Sequence, residues 1–144
     1  MTSNDKVVTL YNRFERLWMN LAEEEDRFKE YGISSTLEAL LTTIIRIKHP
    51  TTTQLSEEMN ISKSAVSQMV TKLEDGDFVK KAVDPDDKRV QHLELGPKGK
   101  DYAKDLKRYE THVYNLFAES LNEEEVEQVS QSFEKILQVL KKKN

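Results

Sequence analysis

The stretch from Thr51 to Gly76 constrains the fold most, because it places two short helices around a very short break. Thr51 and Gln54 have capping-box spacing, which predicts that the first helix begins there. Ser62 is a good N-cap for the second helix, since its hydroxyl can accept a hydrogen bond from a free first-turn amide. The sequence therefore predicts two helices with Asn60-Ile61 as the turn between them.

The second of these helices has two different faces. Apolar residues at i, i+3, i+4 and i+7 from Val66 to Leu73 predict a buried stripe. The opposite face is small, polar and uncharged, and such hydroxyls and amides can hydrogen-bond to base edges in a DNA major groove. The alternative is an ordinary solvated helix, but exposed helix faces favour Glu, Lys and Arg over Ser and Thr. We therefore predict a helix-turn-helix with Lys63 to Thr71 as its recognition helix. Its predicted DNA-binding residues are Ser62, Lys63, Ser64, Ser67, Gln68, Thr71 and Lys72.

A hairpin is predicted directly after the helix-turn-helix. Phe78 to Val83 and Val90 to Leu95 read as strands, and the turn D-P-D-D-K-R between them is rich in turn formers. A helix-turn-helix followed by a hairpin is a winged helix. In this arrangement the chain resembles the MarR family of transcriptional regulators. The resemblance rests on L-S-E-E-M-N-I-S-K-S-A-V-S-Q-M-V-T-K-L-E, the wing turn and Pro97-Lys98-Gly99, and it extends through the flanking helices over nearly the whole chain.

The wing signature of that family, D-x-R, matches Asp87-Lys88-Arg89. The resemblance implies that Arg89 reaches into a minor groove and that Asp87 stabilises the wing. We also predict that Lys88 contacts DNA, because it lies on the wing where phosphates would pass. Two positions depart from the family pattern. Its usual glycine before the wing strand falls one place early, giving Gly76-Asp77, and Gly96-Pro97 stands where a threonine usually precedes the next helix. These departures affect the expected pose of the wing rather than any DNA-contacting position.

Long amphipathic helices are predicted on both sides of this region. Apolar stripes run from Leu10 to Leu21 and from Val126 to Leu140, and Ser35 with Glu38 predicts a capping box for a central, largely buried helix. One chain could not cover every stripe, so we expect a twofold homodimer; the alternative is a monomer that folds these helices back on its own core. The predicted fold is α+β and mostly helical. Its single domain, 1–144, comprises a helical dimerisation region at 5–31 and 97–143 and a winged-helix DNA-binding lobe at 34–96.

The charge balance favours nucleic-acid binding less than the motifs do. The chain has 22 basic and 26 acidic residues, a net charge of −4. From Thr51 to Lys100 there are eight Lys and Arg against nine Asp and Glu, a net charge of −1. Since the lysines cluster on the recognition helix and wing, we predict a sequence-specific regulator of double-stranded DNA, a repressor by resemblance. The alternative is a winged-helix module that binds a protein partner and not DNA.

Catalytic and metal-binding motifs are missing from the sequence. The aspartates of the wing turn fail as a calcium loop, because Arg89 and Leu95 stand where an EF-hand needs glycine and glutamate. The three histidines lack ligand spacing and the chain has no cysteine, although a zinc site assembled across the fold stays open. No nucleophile elbow or glycine-rich phosphate loop occurs. We expect no enzyme, no cofactor and no resident metal. Without a signal peptide or a long apolar run, we expect a cytoplasmic protein with no membrane partner.

The resemblance also implies an effector, because members of the family often bind small aromatic or anionic molecules between the dimer helices and the lobe. Aromatic residues at helical spacing are otherwise core residues, so both interpretations stay open. The residues predicted to line such a pocket are Tyr11, Trp18, Tyr31, Tyr102 and Tyr109.

Overall fold

The computed structural model describes residues 2–24 and 30–143, and this part of the chain is mostly helical with one two-stranded antiparallel sheet. This confirms the predicted α+β class. The chain separates into two compact units, Met1–Leu106 and Lys107–Asn144. Residues 25–29 of the predicted N-terminal helical region lie outside the described part. The elements are α1 (Ser3–Glu24), α2 (Ser35–Ile47), α3 (Thr52–Met59), α4 (Lys63–Asp75), β1 (Val79–Val83), β2 (Gln91–Leu95), α5 (Pro97–Ser120) and α6 (Glu123–Lys143).

The two helices of the helix-turn-helix begin where the sequence predicts. Thr51 and Gln54 form a complete capping box: the Gln54 amide donates to Thr51 Oγ1 at 3.1 Å, and the Thr51 amide donates to Gln54 Oε1 at 2.8 Å. The Ser62 hydroxyl accepts from the Ala65 amide at 3.0 Å and so caps α4. Asn60 ends α3 with a left-handed backbone, φ 54°, a conformation that asparagine tolerates better than most residues. These local signals set where α3 ends and where α4 begins.

The predicted start of α2 was wrong by one residue. Ser34, not Ser35, is the N-cap, and its hydroxyl accepts from the Leu37 amide at 3.3 Å. A cap must have an extended backbone, as Ser34 does with φ −68° and ψ 161°, whereas Ser35 is already the first helical residue. The proposed box between Ser35 and Glu38 therefore does not form.

The apolar core lies among α2, α3, α4 and the sheet. In the predicted stripe of α4, Val66, Val70 and Leu73 are buried and Met69 is half-buried, and α2 contributes as many buried residues from its central turns. Each leucine or valine removed from water here contributes roughly 1.5–3 kcal/mol to the free energy of folding. This core fixes which face of α4 turns outward. The buried side chains of these elements are Leu40, Leu41, Ile44, Leu55, Val66, Val70, Leu73, Phe78, Val79 and Leu93.

The two positions that depart from the family pattern contact each other. Asp77 takes the left-handed conformation, φ 64°, that ends α4 and turns the chain into β1. Its carbonyl accepts from the Lys98 amide at 3.1 Å, and the Phe78 carbonyl accepts from the Gly96 amide at 2.9 Å. A Cβ atom on Gly96 would lie 2.5 Å from the Asp77 carbonyl oxygen. The shifted glycine and the missing threonine therefore form one altered junction between the end of α4 and the start of α5.

The terminal helices α1 and α6, each considered by itself, leave large apolar side chains in solvent. On α1, Leu10 is 63% exposed and Trp18 is 58% exposed. On α6, which contributes no buried residue, Ile136 is 58% exposed. Asn122 caps α6, and its side chain accepts from the Glu125 amide at 2.9 Å as the sequence predicts. The apolar stripes of these helices are present, and a single chain leaves them uncovered.

Candidate nucleic-acid interface

The outward face of α4 carries the residues predicted to contact DNA bases. Because Val66, Val70 and Leu73 are turned into the core, the opposite side of the helix is turned to solvent. The side chains on this side are short or uncharged apart from the two lysines, so the face can approach a base edge closely. The exposed residues are Ser62, Lys63, Ser64, Ser67, Gln68, Thr71 and Lys72.

Two hydroxyls on this face also hold the helix itself. The Ser62 oxygen accepts from the Ala65 amide at the N-terminus, and Thr71 Oγ1 donates to the Ser67 carbonyl at 3.0 Å. A side chain used in this way can still offer a lone pair to a partner, but its orientation is fixed by the helix. Gln68 carries both an amide donor and a carbonyl acceptor, which is the pair of groups needed to hydrogen-bond bidentately with adenine.

The wing turn holds Arg89 at its tip. One oxygen of Asp87 accepts from the Arg89 backbone amide at 3.0 Å and from Nε at 3.1 Å, and the other accepts from a terminal guanidinium nitrogen at 3.3 Å. This contact lowers the pKa of the Asp87 carboxyl, mainly through the guanidinium hydrogen bond. The Arg89 side chain is nonetheless 90% exposed, and Lys88 beside it is exposed as well. The guanidinium is thus oriented by Asp87 and remains accessible to a nucleic acid.

A second acidic residue, Asp84, organises the same turn through a partner that the sequence analysis did not predict. Asp84 Oδ2 lies 2.6 Å from Nε2 of His92, and Nδ1 of His92 lies 2.9 Å from the carbonyl oxygen of His49. In the sequence, Asp84 stands only as part of a failed calcium loop and His92 as one of three histidines without ligand spacing. The hairpin register brings them together: Ala82 pairs with His92, so Asp84, two residues after Ala82, lies on the same face as His92 and diagonal to it at the base of the turn. Strand alternation with the correct register is the signal that could have found this pair.

The lysines of β1 are engaged in ion pairs within the protein. Lys80 Nζ lies 3.7 Å from Glu94 across the hairpin, and Lys81 Nζ lies 3.4 Å from Glu74 on α4. Exposed pairs of this kind are weak, so the lysines can exchange a carboxylate for a phosphate at small cost. They add little net positive charge to the surface.

The aromatic residues predicted to line an effector pocket lie in different settings. Tyr31 and Tyr102 pack edge to face with ring centroids 5.1 Å apart, and Tyr31 packs in the same way on Phe78 at 6.2 Å. The Tyr31 hydroxyl donates to Asp105 at 2.5 Å, and burial together with this carboxylate raises the pKa of the phenol. Tyr102 is buried, whereas Tyr11 and Trp18 are more than half exposed on α1. Tyr109 is half-buried on the part of α5 that belongs to the second unit.

A cavity of about 110 Å³ lies between the end of α2 and β2, lined by Ile44, Ile45, Lys48, His49, Leu93, Glu94 and Leu95. Pockets for organic ligands usually measure roughly 300–1,000 Å³, so this one is too small for an aromatic effector. Within residues 2–24 and 30–143, no group of three or more His, Asp and Glu side chains could hold a metal ion. Within the same ranges, no helix is both long and apolar enough to cross a membrane.

Comparison with known proteins agrees with this geometry. Residues 33–90, which run from the start of α2 to the end of the wing turn, match the model of the MarR family. No curated protein sequence matches the chain. Among solved structures, the fold is similar to that of Streptococcus pneumoniae FabT in complex with DNA, at 21% identity and a TM-score of 0.73, covering 98% of this chain and 96% of that one.

Two further solved structures share the fold over most of their length. One is a mutant of S. aureus MepR bound to an oligodeoxyribonucleotide, at 19% identity and a TM-score of 0.60, covering 91% of this chain and 97% of that one. The other is a MarR-like transcriptional regulator from Thermotoga maritima, at 21% identity and a TM-score of 0.68, covering 98% of each chain. The similarity extends beyond the matched residues 33–90 into the terminal helices.

Proposed function

We propose, from the premise that residues 33–90 are a MarR-family domain, that this protein is a transcriptional regulator that binds double-stranded DNA sequence-specifically as a homodimer. The observation that carries the proposal is the combination of two exposed surfaces on one rigid lobe. One is the polar face of α4, and the other is the wing tip where Asp87 orients Arg89. The first suits a major groove and the second a minor groove. Two of the structurally similar proteins are themselves bound to DNA or to an oligodeoxyribonucleotide.

The homodimer is proposed from the uncovered apolar faces of α1 and α6. Exposed apolar side chains in such numbers on two long helices mark an interaction surface rather than an ordinary solvated face. A second copy of the chain offers the same stripes, so a twofold axis can cover both sets at once. Two copies of α4 would then face half-sites about 34–36 Å apart, and the operator would be an imperfect palindrome.

Repression and release by an effector complete the proposal. A dimer that occupies its operator can exclude RNA polymerase by occupancy alone, without any further contact. A small aromatic or anionic effector that binds beside the Tyr31 and Tyr102 rings would act on the start of α5, which follows the lobe directly. Tyr11, Trp18 and Tyr109 remain predicted contributors to that pocket. The position of Tyr102 near the start of α5 is the observation that favours this site.

The test is selection of a duplex from a library of randomised sequence, followed by titration of the recovered duplex in a mobility-shift assay. We expect enrichment of one imperfect palindrome. We also expect the affinity to fall steeply as the salt concentration is raised, because phosphate contacts release counterions. Replacing Gln68 by alanine should change the enriched sequence. The matched control is Gln131→Ala, which removes an exposed glutamine from α6 and should leave the enriched sequence unchanged.

The competing function is a winged-helix module that binds a protein partner. The net charge of −4 favours it, as do the ion pairs that engage Lys80 and Lys81. The same selection separates the two functions. A module without DNA affinity would enrich no sequence at any salt concentration, and Gln68→Ala would have no effect on the recovered pool.

A further inference from the structure

The ring of His92 faces a hydrogen-bond acceptor at each nitrogen. Nδ1 lies 2.9 Å from the His49 carbonyl oxygen, which can only accept, and Nε2 lies 2.6 Å from a carboxylate oxygen of Asp84. A neutral imidazole carries one N–H and could satisfy only one of these contacts, because its other nitrogen would place a lone pair against an acceptor. The imidazolium ion has two N–H donors and satisfies both. Both hydrogen bonds therefore form only when His92 is charged.

The Asp84 carboxylate connects this ring to the wing turn. Its other oxygen accepts from the backbone amides of Asp86 at 2.7 Å and Asp87 at 3.2 Å. The Asp84 amide donates to the Val90 carbonyl at 2.9 Å, which closes the turn. The conformation of the segment that carries Arg89 therefore depends on where the Asp84 side chain is held.

The opposite side of the His92 ring connects to the helix-turn-helix. His49 follows the end of α2 with a left-handed backbone, φ 51°, and leads directly into the cap of α3. The next residue, Pro50, is buried and accepts from the Leu93 amide at 2.9 Å, so β2 is hydrogen-bonded to the same connection. His92 thus bridges the segment before the helix-turn-helix and the tip of the wing.

We propose that His92, as an imidazolium ion, is a positioning residue that fixes the wing turn relative to the helix-turn-helix, and that DNA affinity consequently falls as this ring loses its proton. The inference rests on the DNA-binding function proposed above. His92 does not contact DNA in this account. It acts through Asp84 on the orientation of the turn that presents Arg89.

Asp84 supplies the charge that favours protonation. Its hydrogen bond, followed by that of the His49 carbonyl, raises the pKa of His92 above the ordinary value of 6.5, while the same contact lowers the pKa of Asp84 below 3.8. The elements that pack on β2 are β1, α2 and α3. The charged or titratable groups on these elements, on β2 itself and on the connecting segments are Glu38, Arg46, Lys48, His49, Glu57, Glu58, Lys80, Lys81, Asp86, Asp87, Lys88, Arg89 and Glu94.

The sign of the pH effect follows from these directions. A histidine with a raised pKa in the ordered state stabilises that state fully at low pH, and the stabilisation is lost as the pH rises through the raised pKa. Asp84 sets the limit at low pH. The stabilisation from its carboxylate is lost only as the pH falls through its lowered pKa. The bridge is therefore intact from the depressed pKa of Asp84 to the raised pKa of His92, and it opens on the alkaline side.

The first measurement is an NMR titration of the imidazole nitrogens in the full-length protein without DNA. We expect both nitrogens of His92 to remain protonated at pH 6.5 and the pKa of this ring to lie above the ordinary value of 6.5. Asp84→Asn keeps the carbonyl oxygen that accepts from the turn amides and removes the negative charge. It should lower the pKa of His92. A His92 that is neutral at pH 6.5, or whose pKa is unchanged in Asp84→Asn, would overturn the bridge.

The second measurement is the affinity for the selected duplex from pH 6 to 9 at constant ionic strength. The wild type should lose about two- to fivefold in affinity across the His92 titration, the size expected when a partly exposed ion pair is lost, since the side chains of His92 and Asp84 are 28% and 24% exposed. His92→Gln should flatten this pH dependence, and Asp84→Asn should move its midpoint to lower pH. His112→Gln is the matched control and should reproduce the wild-type profile.

The outcomes separate this inference from the function on which it rests. A wild type whose affinity is constant over this pH range, or whose pH dependence persists in His92→Gln, would overturn the positioning role while DNA binding stands. A selection that enriches no duplex would overturn both, and this result is recognisable before any pH titration begins. A purely structural His92 would weaken binding equally at every pH when replaced, and this result would also contradict the proposal.

Discussion

The winged-helix lobe and the terminal helices differ in how completely each buries its apolar residues. In the lobe, Leu40, Leu55 and Leu73 are wholly buried, and polar side chains cover the outside. On α6, Ile136 and Leu140 are more than half exposed although they belong to an equally regular stripe. The lobe therefore contains its own core. The stripe of α6 has the spacing of core residues, but its side chains are exposed.

This difference separates two kinds of variant. A change on the outside of the lobe should alter DNA binding and leave the assembly unchanged, because no core residue is touched. A change in the stripe of α6 should alter the assembly first and DNA binding as a consequence, because two lobes can reach two half-sites only when they are linked.

The largest effect is expected from Ile136→Asp. If the α6 stripe packs against a second copy, this variant places a charge in an apolar interface, which costs several kcal/mol and should dissociate or unfold the protein. Sedimentation velocity at micromolar concentration measures the outcome. The control is Gln131→Asp, which adds the same charge at a polar position of α6 and should sediment like the wild type. A stable wild-type monomer at this concentration would contradict the dimer.

A smaller effect is expected within the lobe from Gly96→Thr, which restores the residue that the family pattern favours. The new Cβ would lie 2.5 Å from the Asp77 carbonyl oxygen, so the junction must shift, at a cost of roughly 1–3 kcal/mol. Urea denaturation gives the free energy of unfolding, and the variant should keep the wild-type oligomeric state. Asp77→Gly removes the side chain from a left-handed position and lets the carbonyl move. The change in the free energy of unfolding in the double variant, Asp77→Gly with Gly96→Thr, should therefore be less destabilising than the sum of the two single changes. Strict additivity would show that the two positions are independent.

Local signals in the sequence were sufficient for much of the lobe. Thr51 and Ser62 cap helices because the residue itself supplies the hydrogen bond, and the alternation of β2 turns Leu93 inward. Ser34 and Ser35 show the limit of this approach. Both can cap a helix, and only the backbone dihedral angles, which the tertiary structure sets, decide between them.

Contacts between distant residues could not be predicted in the same way. The pair of Asp84 and His92 depends on the register of a hairpin, and the junction of Asp77 with Gly96 depends on how α5 docks. The sequence also showed an apolar stripe on α6 without showing whether the chain covers it, since periodicity identifies a face and not its partner.

A change confined to the polar face of α4 should alter specificity. Gln68→Ala removes the donor and the acceptor that can pair with adenine, so discrimination at one position of each half-site should fall by roughly 1–3 kcal/mol. The variant should keep the wild-type free energy of unfolding and the wild-type oligomeric state, because Gln68 is exposed. Titration on the selected duplex and on its single-base variants measures the effect. A uniform loss on all of these duplexes would assign Gln68 to backbone contacts instead.

The smallest effect is expected from Arg89→Ala, and the reason lies in the contact with Asp87. A wing arginine in a minor groove senses negative potential and groove width more than individual bases, so its loss should weaken binding to all duplexes alike. The slope of log affinity against log salt should shrink by about one unit. Part of the guanidinium charge is already balanced by Asp87 at 3.1 Å. DNA must compete with that carboxylate, which limits the affinity that Arg89 contributes. Asp87→Asn removes the competition and loosens the orientation of Arg89 at the same time. If orientation matters more than charge, Asp87→Asn should weaken binding although it makes the wing more positive; tighter binding by Asp87→Asn would show that Asp87 only screens Arg89.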